Sequence, residues 1–223
     1  MKKITILILV MFGLLIACGK DSDKTEKKVP ANEEASKSLW QAANEGNIKA
    51  VEEFLAKGAD VNYKYHEGET VLNIAVRKRH LDIARLLIDK GANINAQGYL
   101  DRTALMNATW VRDINITRLL LERNADVNIE SLSKDTALTL TLDYEITRML
   151  VDRGADVNHF NQFKNTALFN AASFGQTKIV EYLLGKGADL QFKTLYGKTP
   201  LMIAKERNHS DIVSLLEKAG AKE

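Results

Sequence analysis

Residues 70–95 read TVLNIAVRKRHLDIARLLIDKGANIN, a segment that carries its own start, corner and stop. Thr70 stands just before an apolar stretch, where its hydroxyl can accept from the first free N–H groups of a helix. Small Ala75 sits inside that helix and lets a neighbouring helix approach closely. A turn at Arg79-His80 follows, and then Ile83 and Leu86-Leu87-Ile88 recur at three- and four-residue steps, which makes the apolar stripe of a second helix. Gly91 suits the left-handed conformation that stops a helix, and a polar loop, Ala92-Asn93-Ile94-Asn95, leads out. The unit is a helical hairpin with a loop, and such a unit is stable only when copies stack on it.

The copies are present. Thr70, Thr103, Thr136, Thr166 and Thr199 are spaced 33, 33, 30 and 33 residues apart. Gly58, Gly91, Asn124, Gly154, Gly187 and Gly220 are spaced 33, 33, 30, 33 and 33. Two independent landmarks share one period and one shortening. Each Thr opens a similar tripeptide, from Thr103-Ala104-Leu105 to Thr199-Pro200-Leu201. Pro200 occupies the first helical position, where its missing N–H costs nothing. Ala108, Ala171-Ala172 and Ala204 match Ala75, and Gly46 and Gly175 mark the corner in two units. Ile116, Ile146, Ile179 and Ile212 head the outer-helix stripes. Asn124 replaces the closing glycine once, and Asn is the next-best residue for a left-handed stop.

This pattern resembles the ankyrin repeat, from Ser38 to Ala221, with its Gly-Ala-Asp-Val-Asn ending at residues 58–62 and 154–158. The resemblance implies an all-α solenoid of about six helix-turn-helix units with β-turn tips: 38–62, 63–95, 96–128, 129–158, 159–191 and 192–223. It also implies a binding module whose tips and first helices line a concave face. Four of five openings lack the family's Pro, and Asn73, Met106, Thr139, Phe169 and Met202 stand where the family has His. The Thr–His hydrogen bond is therefore expected to be absent, at slightly lower stability per unit. The end units read as caps: Ser38-Leu39-Trp40-Gln41-Ala42-Ala43 opens the first without a Thr, and Lys205, Glu206, Arg207, Glu217 and Lys218 make the last polar.

The N-terminus reads as an export signal, residues 1–17. Lys2 and Lys3 precede an apolar run, Ile4 to Ile16, that is shorter than a membrane span. The run ends in Leu15-Ile16-Ala17-Cys18, which resembles a bacterial lipobox, with Cys18 as the lipidated residue and the sole cysteine. An ordinary signal peptide or an uncleaved anchor with an incidental Cys is the alternative. Lys2 and Lys3 carry both surplus positive charges, so the chain from Cys18 onward is formally neutral. A neutral chain lacks the basic footprint of a nucleic-acid or anionic-lipid binder, which leaves acyl chains to hold it at a membrane. Residues 18–37 carry ten charges and only one apolar residue larger than Ala, so they read as a disordered tether. The expected location is the cell envelope, facing periplasm or surface. Gly19 after the Cys favours the outer membrane in a two-membrane cell.

Catalytic constellations are missing from the sequence. His66, His80, His159 and His209 fit no metal-ligand spacing, and no phosphate loop or nucleophile elbow is present. His80 and His209 occupy matching turn positions and read as structural. Asp60, Asp126, Asp156 and Asp189 read as loop-bonding residues and not as paired acids. No enzyme activity, cofactor or metal is expected. What remains is an apolar stripe at positions that normally hold charge: Tyr65, His66, Tyr99, Leu100, Leu132, Phe163, Leu195 and Tyr196 at the tips, and Trp110, Val111 and Phe174 at first-helix ends. Such patches mark partner sites. The alternatives are that some of these side chains fold back over the next turn, or that the protein is a structural, self-associating envelope component. A monomer with an unidentified protein partner is the favoured expectation.

The fourth unit, Ile129 to Asn158, lacks three residues between Leu140 and Ile146. Three is short of a full turn of 3.6, so a residual twist of about 60° is expected in the second helix. With β-branched Thr139 and Thr141 in the shortened helix, the stack is expected to bend or open at residues 140–145.

Overall fold

The computed structural model describes residues 31–222. Among these residues twelve α-helices form two layers. The inner layer holds the first helix of each unit: α1 (Ala31–Glu45), α3 (Val71–Arg77), α5 (Ala104–Trp110), α7 (Ala137–Leu140), α9 (Ala167–Ser173) and α11 (Pro200–Glu206). The outer layer holds the second: α2 (Ile48–Ala56), α4 (Leu81–Asp89), α6 (Ile114–Glu122), α8 (Tyr144–Asp152), α10 (Thr177–Gly185) and α12 (Ser210–Lys218). Each inner helix packs on the next inner helix, and each outer helix on the next outer one. No described residue lies in a regular strand; two isolated bridges, Lys64–Thr70 and Phe160–Thr166, pinch two of the tips.

The local chemistry follows the repeat landmarks. Thr70, Thr103, Thr166 and Thr199 each accept from the N–H three residues on. The closing residues are all left-handed, from Gly58 at φ 84° to Gly220 at 93°, with Asn124 at 60°. Between the layers lies one continuous core. Leu72, Leu105, Leu138, Leu168 and Leu201 enter it from the inner helices, and Ile83, Ile116, Ile146, Ile179 and Ile212 from the outer ones. Each fully buried side chain of this size contributes about 1.5–3 kcal/mol of transfer free energy.

The ladder at the base of the stack is polar. Asn62, Asn95, Asn128 and Asn158 each accept, through Oδ1, the backbone N–H of the following unit's loop at 2.7–2.9 Å. Asp60, Asp126, Asp156 and Asp189 each accept an N–H two residues on. The Asp residues are therefore loop-bonding, as their sequence setting suggests, and the Asn residues join unit to unit.

The first correction concerns the tether. Residues 31–37 are helical, the first two turns of α1. Ser36 is buried, and its hydroxyl accepts the Asp60 N–H at 2.9 Å, the bond that an Asn supplies in units 2 to 5. The charges at 33, 34 and 37 lie on the solvent side, with Lys37 paired to Glu33, while Ala35 packs on the core. Among the described residues the first unit thus includes Ala31 to Lys37 and does not begin at Ser38. The signal segment 1–17, Cys18 and the rest of the expected tether lie outside the described residues.

The second correction concerns the short unit. The three missing residues come wholly from the inner helix: α7 has four residues where α3, α5, α9 and α11 have seven. Helix α8 keeps the nine residues of its neighbours, and Ile146 and Leu150 are buried as Ile116 and Leu120 are. The α8 stripe keeps its inward face, and Thr141, in an extended conformation, makes the connection between the two helices.

A candidate interaction surface at the tips and inner-helix ends

The tips form a row. Leu132 N–H donates to the Leu100 carbonyl, Gln162 N–H to that of Ser133, and Leu195 N–H to that of Phe163, at 2.9–3.1 Å. These bonds set the tips of units 3 to 6 side by side. Tyr99, Leu100, Leu132, Phe163, Leu195 and Tyr196 are all exposed, Tyr196 to 74% and Leu132 to 66%. Leu100 sits at φ 55°, a left-handed conformation that is costly for a bulky side chain. A Gly there would fold as well with less strain, yet the chain holds a leucine out to solvent at that point.

The inner-helix ends carry the second part. Trp110, the last residue of α5, is 59% exposed, and Phe174, which follows α9, is 61% exposed. The corresponding positions of unit 2 are Arg77 and Lys78, and of unit 6 Glu206 and Arg207. The short unit supplies neither position, because α7 ends at Leu140. Between Trp110 and Phe174 lies a cavity of about 430 Å³, floored by Leu140 and Leu142 and bordered by Arg102 and Arg112. Arg102 lies over the Trp110 ring at 5.1 Å from its centre.

Eight of the eleven stripe residues therefore reach solvent as large apolar side chains. His66 is exposed but turned to its neighbour, its ring edge-on to Tyr65 at 4.2 Å. Tyr65 is half-buried and stacks on Trp40 of α1 at 4.5 Å, so it folds back to cover the first unit. Val111 is half-buried, and its carbonyl accepts from Arg79 at 2.8 Å. Tyr65 and Val111 leave the candidate surface for this reason. Missing from the sequence reading were Leu140, Leu142, Arg102 and Arg112, which line the cavity. The signal for them was the three-residue gap, taken as a place where the stack bends or opens and not as part of a site.

The histidine positions are structural, though their bonds cross between units. His80 Nε2 lies 3.4 Å from the Asn44 carbonyl and His209 Nε2 3.2 Å from that of Ser173, so each ring fastens its turn to the unit before. Asn73, at a position where the resemblance led us to look for a histidine, donates to the Arg102 carbonyl at 2.9 Å and replaces an intra-unit bond by one between units. The one strongly buried carboxylate among the described residues, Glu69, has its pKa raised by burial, against the pull of the Arg77 guanidinium 3.7 Å away. It accepts the Tyr99 N–H and supports the third tip from beneath. Among the described residues no cluster of three or more His, Cys, Asp or Glu could hold a metal ion, and no helix is long and apolar enough to cross a membrane.

A family model for ankyrin repeats (three copies) matches residues 13–131 and again 135–222. The chain belongs to the ankyrin-repeat family. Ankyrin repeats bind protein partners. Two ankyrin repeat proteins of Rickettsia felis are each 38% identical to it over 48 residues, covering 22% of this chain and 76% and 73% of theirs. An ankyrin repeat domain from Acinetobacter baumannii matches with a TM-score of 0.76 and 30% identity, over 82% of this chain and 98% of that one. A chain from the complex of the predatory endopeptidase Bd0816 of Bdellovibrio bacteriovorus with the immunity protein Bd3460 matches with a TM-score of 0.75 and 28% identity, again over 82% and 98%.

Proposed function

We propose that this ankyrin stack is a lipid-tethered interaction module of the bacterial cell envelope, which holds a protein partner on the face made by its tips and inner-helix ends. The observation that carries the reading is the row of exposed apolar side chains from Tyr99 to Tyr196, at positions where solvent would favour charge. Large exposed apolar groups on a stable scaffold cost solubility unless a partner covers them. The tether rests on the lipobox-like Leu15-Ile16-Ala17-Cys18 and on the neutral mature chain, which leaves acyl groups to hold it at the membrane.

The relationship to a chain from an endopeptidase–immunity protein complex supports one class of partner, an exported hydrolase restrained by the stack. The test is affinity capture from detergent-solubilised envelopes, followed by assay of any captured peptidase with and without the stack. Tyr99→Ala, Trp110→Ala and Phe163→Ala should each weaken the captured complex by about 1–4 kcal/mol. Their melting temperatures should stay close to that of the unaltered protein, because all three side chains face out. Loss of stability with capture intact would mean that these residues serve the fold, and the surface would lose its assignment.

A further inference from the structure

We propose that the slot left by the shortened fourth unit receives one aromatic side chain of the partner, flanked by a carboxylate. The proposal rests on the interaction reading above and specifies how that face is recognised. Inner helices pack about 8–10 Å apart. Removing the last three residues of α7 therefore opens a gap about one helix wide between α5 and α9. A bare packing gap would be lined by whatever the repeat places there. Here the two rims carry the largest side chains that these positions hold anywhere in the stack, Trp110 and Phe174, where units 2 and 6 carry charge. Leu140 and Leu142 are half-buried and give the floor. The cavity, about 430 Å³, falls at the small end of ligand pockets, suited to a single ring with its neighbouring residue.

The charge at the mouth selects the flank. Arg102 and Arg112 both border the slot, and neither guanidinium forms a salt bridge among the described residues, although the Arg102 charge also acts on the Glu69 carboxylate. The one acid in the lining, Asp135, already accepts from Asn161 Nδ2 at 2.9 Å and from the Thr139 hydroxyl at 3.2 Å. The slot thus sets four apolar side chains, Trp110, Phe174, Leu140 and Leu142, beside the polar Thr139, Asn161 and Asn170, with a surplus of positive charge at its rim, complementary to a ring beside a carboxylate. Arg102 is held over the Trp110 ring and so is preplaced to meet the acid while Trp110 meets the ring.

The probe is 3-phenylpropionate, titrated into the full mature chain and followed by the indole N–H signals. The chain has two tryptophans, Trp110 on the rim and Trp40 far away in α1, so the second is an internal control. The Trp110 signal should move and saturate while that of Trp40 stays. The neutral 3-phenylpropanamide should bind roughly two- to fivefold more weakly, the range of one exposed ion pair, and Arg112→Glu should remove that difference. Inserting three residues between Thr141 and Leu142, which restores the 33-residue spacing, should abolish the shift. An unmoved Trp110 signal, equal movement of both signals, or equal affinity for acid and amide overturns the proposal. If the insertion variant still captures the partner while Tyr99→Ala and Phe163→Ala lose it, the slot is not a recognition site and the interaction function stands on the tips alone.

Discussion

At the residue scale the corners of the hairpins show how a backbone requirement becomes a side-chain contact. The corner residue is left-handed in five units: Gly46, Arg79, Arg112, Gly175 and Asn208. Two of the five are glycine for a further reason. A Cβ on Gly46 would come within 2.6 Å of the His80 ring, and one on Gly175 within 2.9 Å of His209. Gly91 is also left-handed, but a Cβ there meets nothing within 4 Å. Gly91→Ala should therefore cost only the backbone term, about 1–2 kcal/mol, and Gly46→Ala should cost more because the His80 ring must also leave the Asn44 carbonyl. Urea unfolding of the two variants checks the order. Glu69 offers a second residue-scale test. Its folded-state pKa is raised above the unfolded value, so the folded state binds its proton more readily than the unfolded state does. The ionised form is the one that burial penalises, so its cost is present at neutral pH and disappears as pH falls through the raised pKa. Glu69→Gln should thus raise the melting temperature relative to the unaltered protein more at pH 7 than at pH 4. A gain that is the same at both values would show that desolvation of the charge is not what Glu69 contributes.

At the scale of elements, the joints between units decide what moves. Helix α7 has a single turn, yet its end is well bonded: the Thr141 hydroxyl accepts the Asp143 N–H at 3.2 Å, and Asp143 caps α8 through the Ile146 N–H at 3.0 Å. The joint on its other side is thinner, because α7 packs more closely on α5 than on α9. The expected opening at residues 140–145 thus lies next to the thinner joint, between units 4 and 5. Amides of residues 139–146 should exchange with solvent faster than those of residues 169–179, since one turn of helix protects fewer N–H groups than two. Equal or slower exchange would mean that the Thr141–Asp143 connection holds the short unit as firmly as a full one. At the N-terminal joint, Ser36→Ala should cost about 1 kcal/mol, a neutral hydrogen bond's share, and release the start of α1. The repeat was legible in the sequence because each of its signals is local: a capping Thr, an apolar stripe, a stop. Ser36 was not legible, since its value lies in a bond to Asp60, 24 residues on, and a charged, Ala-rich stretch looks the same whether or not one of its faces is buried. The same holds for Tyr65, whose ring is occupied by Trp40, a contact that no spacing rule within the unit implies. The slot was half legible: the gap was visible by counting, but its lining needed the neighbours on both sides.

At the scale of the whole molecule, the proposed export signal and the proposed interaction face divide anchoring from recognition. On the proposed reading the apolar face meets a partner, and the chain from Cys18 onward is formally neutral, so neither supplies a general attraction to a charged bilayer. A polybasic protein leaves membranes in high salt because its attachment is screened within a few ångströms. An acylated one stays, because burial of each methylene contributes about 0.8 kcal/mol irrespective of salt. The two mechanisms predict opposite outcomes for one pair of measurements. Unaltered protein should remain with the envelope fraction after a wash in 1 M salt, and its mature form should take up labelled palmitate. Cys18→Ala should lose the label and, since no electrostatic attachment remains behind the lipid, should leave the membrane in low-salt buffer once its signal is processed by any other peptidase. If Cys18→Ala is still recovered as a labelled mature form, the cysteine is not the anchor. If unlabelled protein stays bound until salt removes it, a charged surface and not a lipid holds the stack in place.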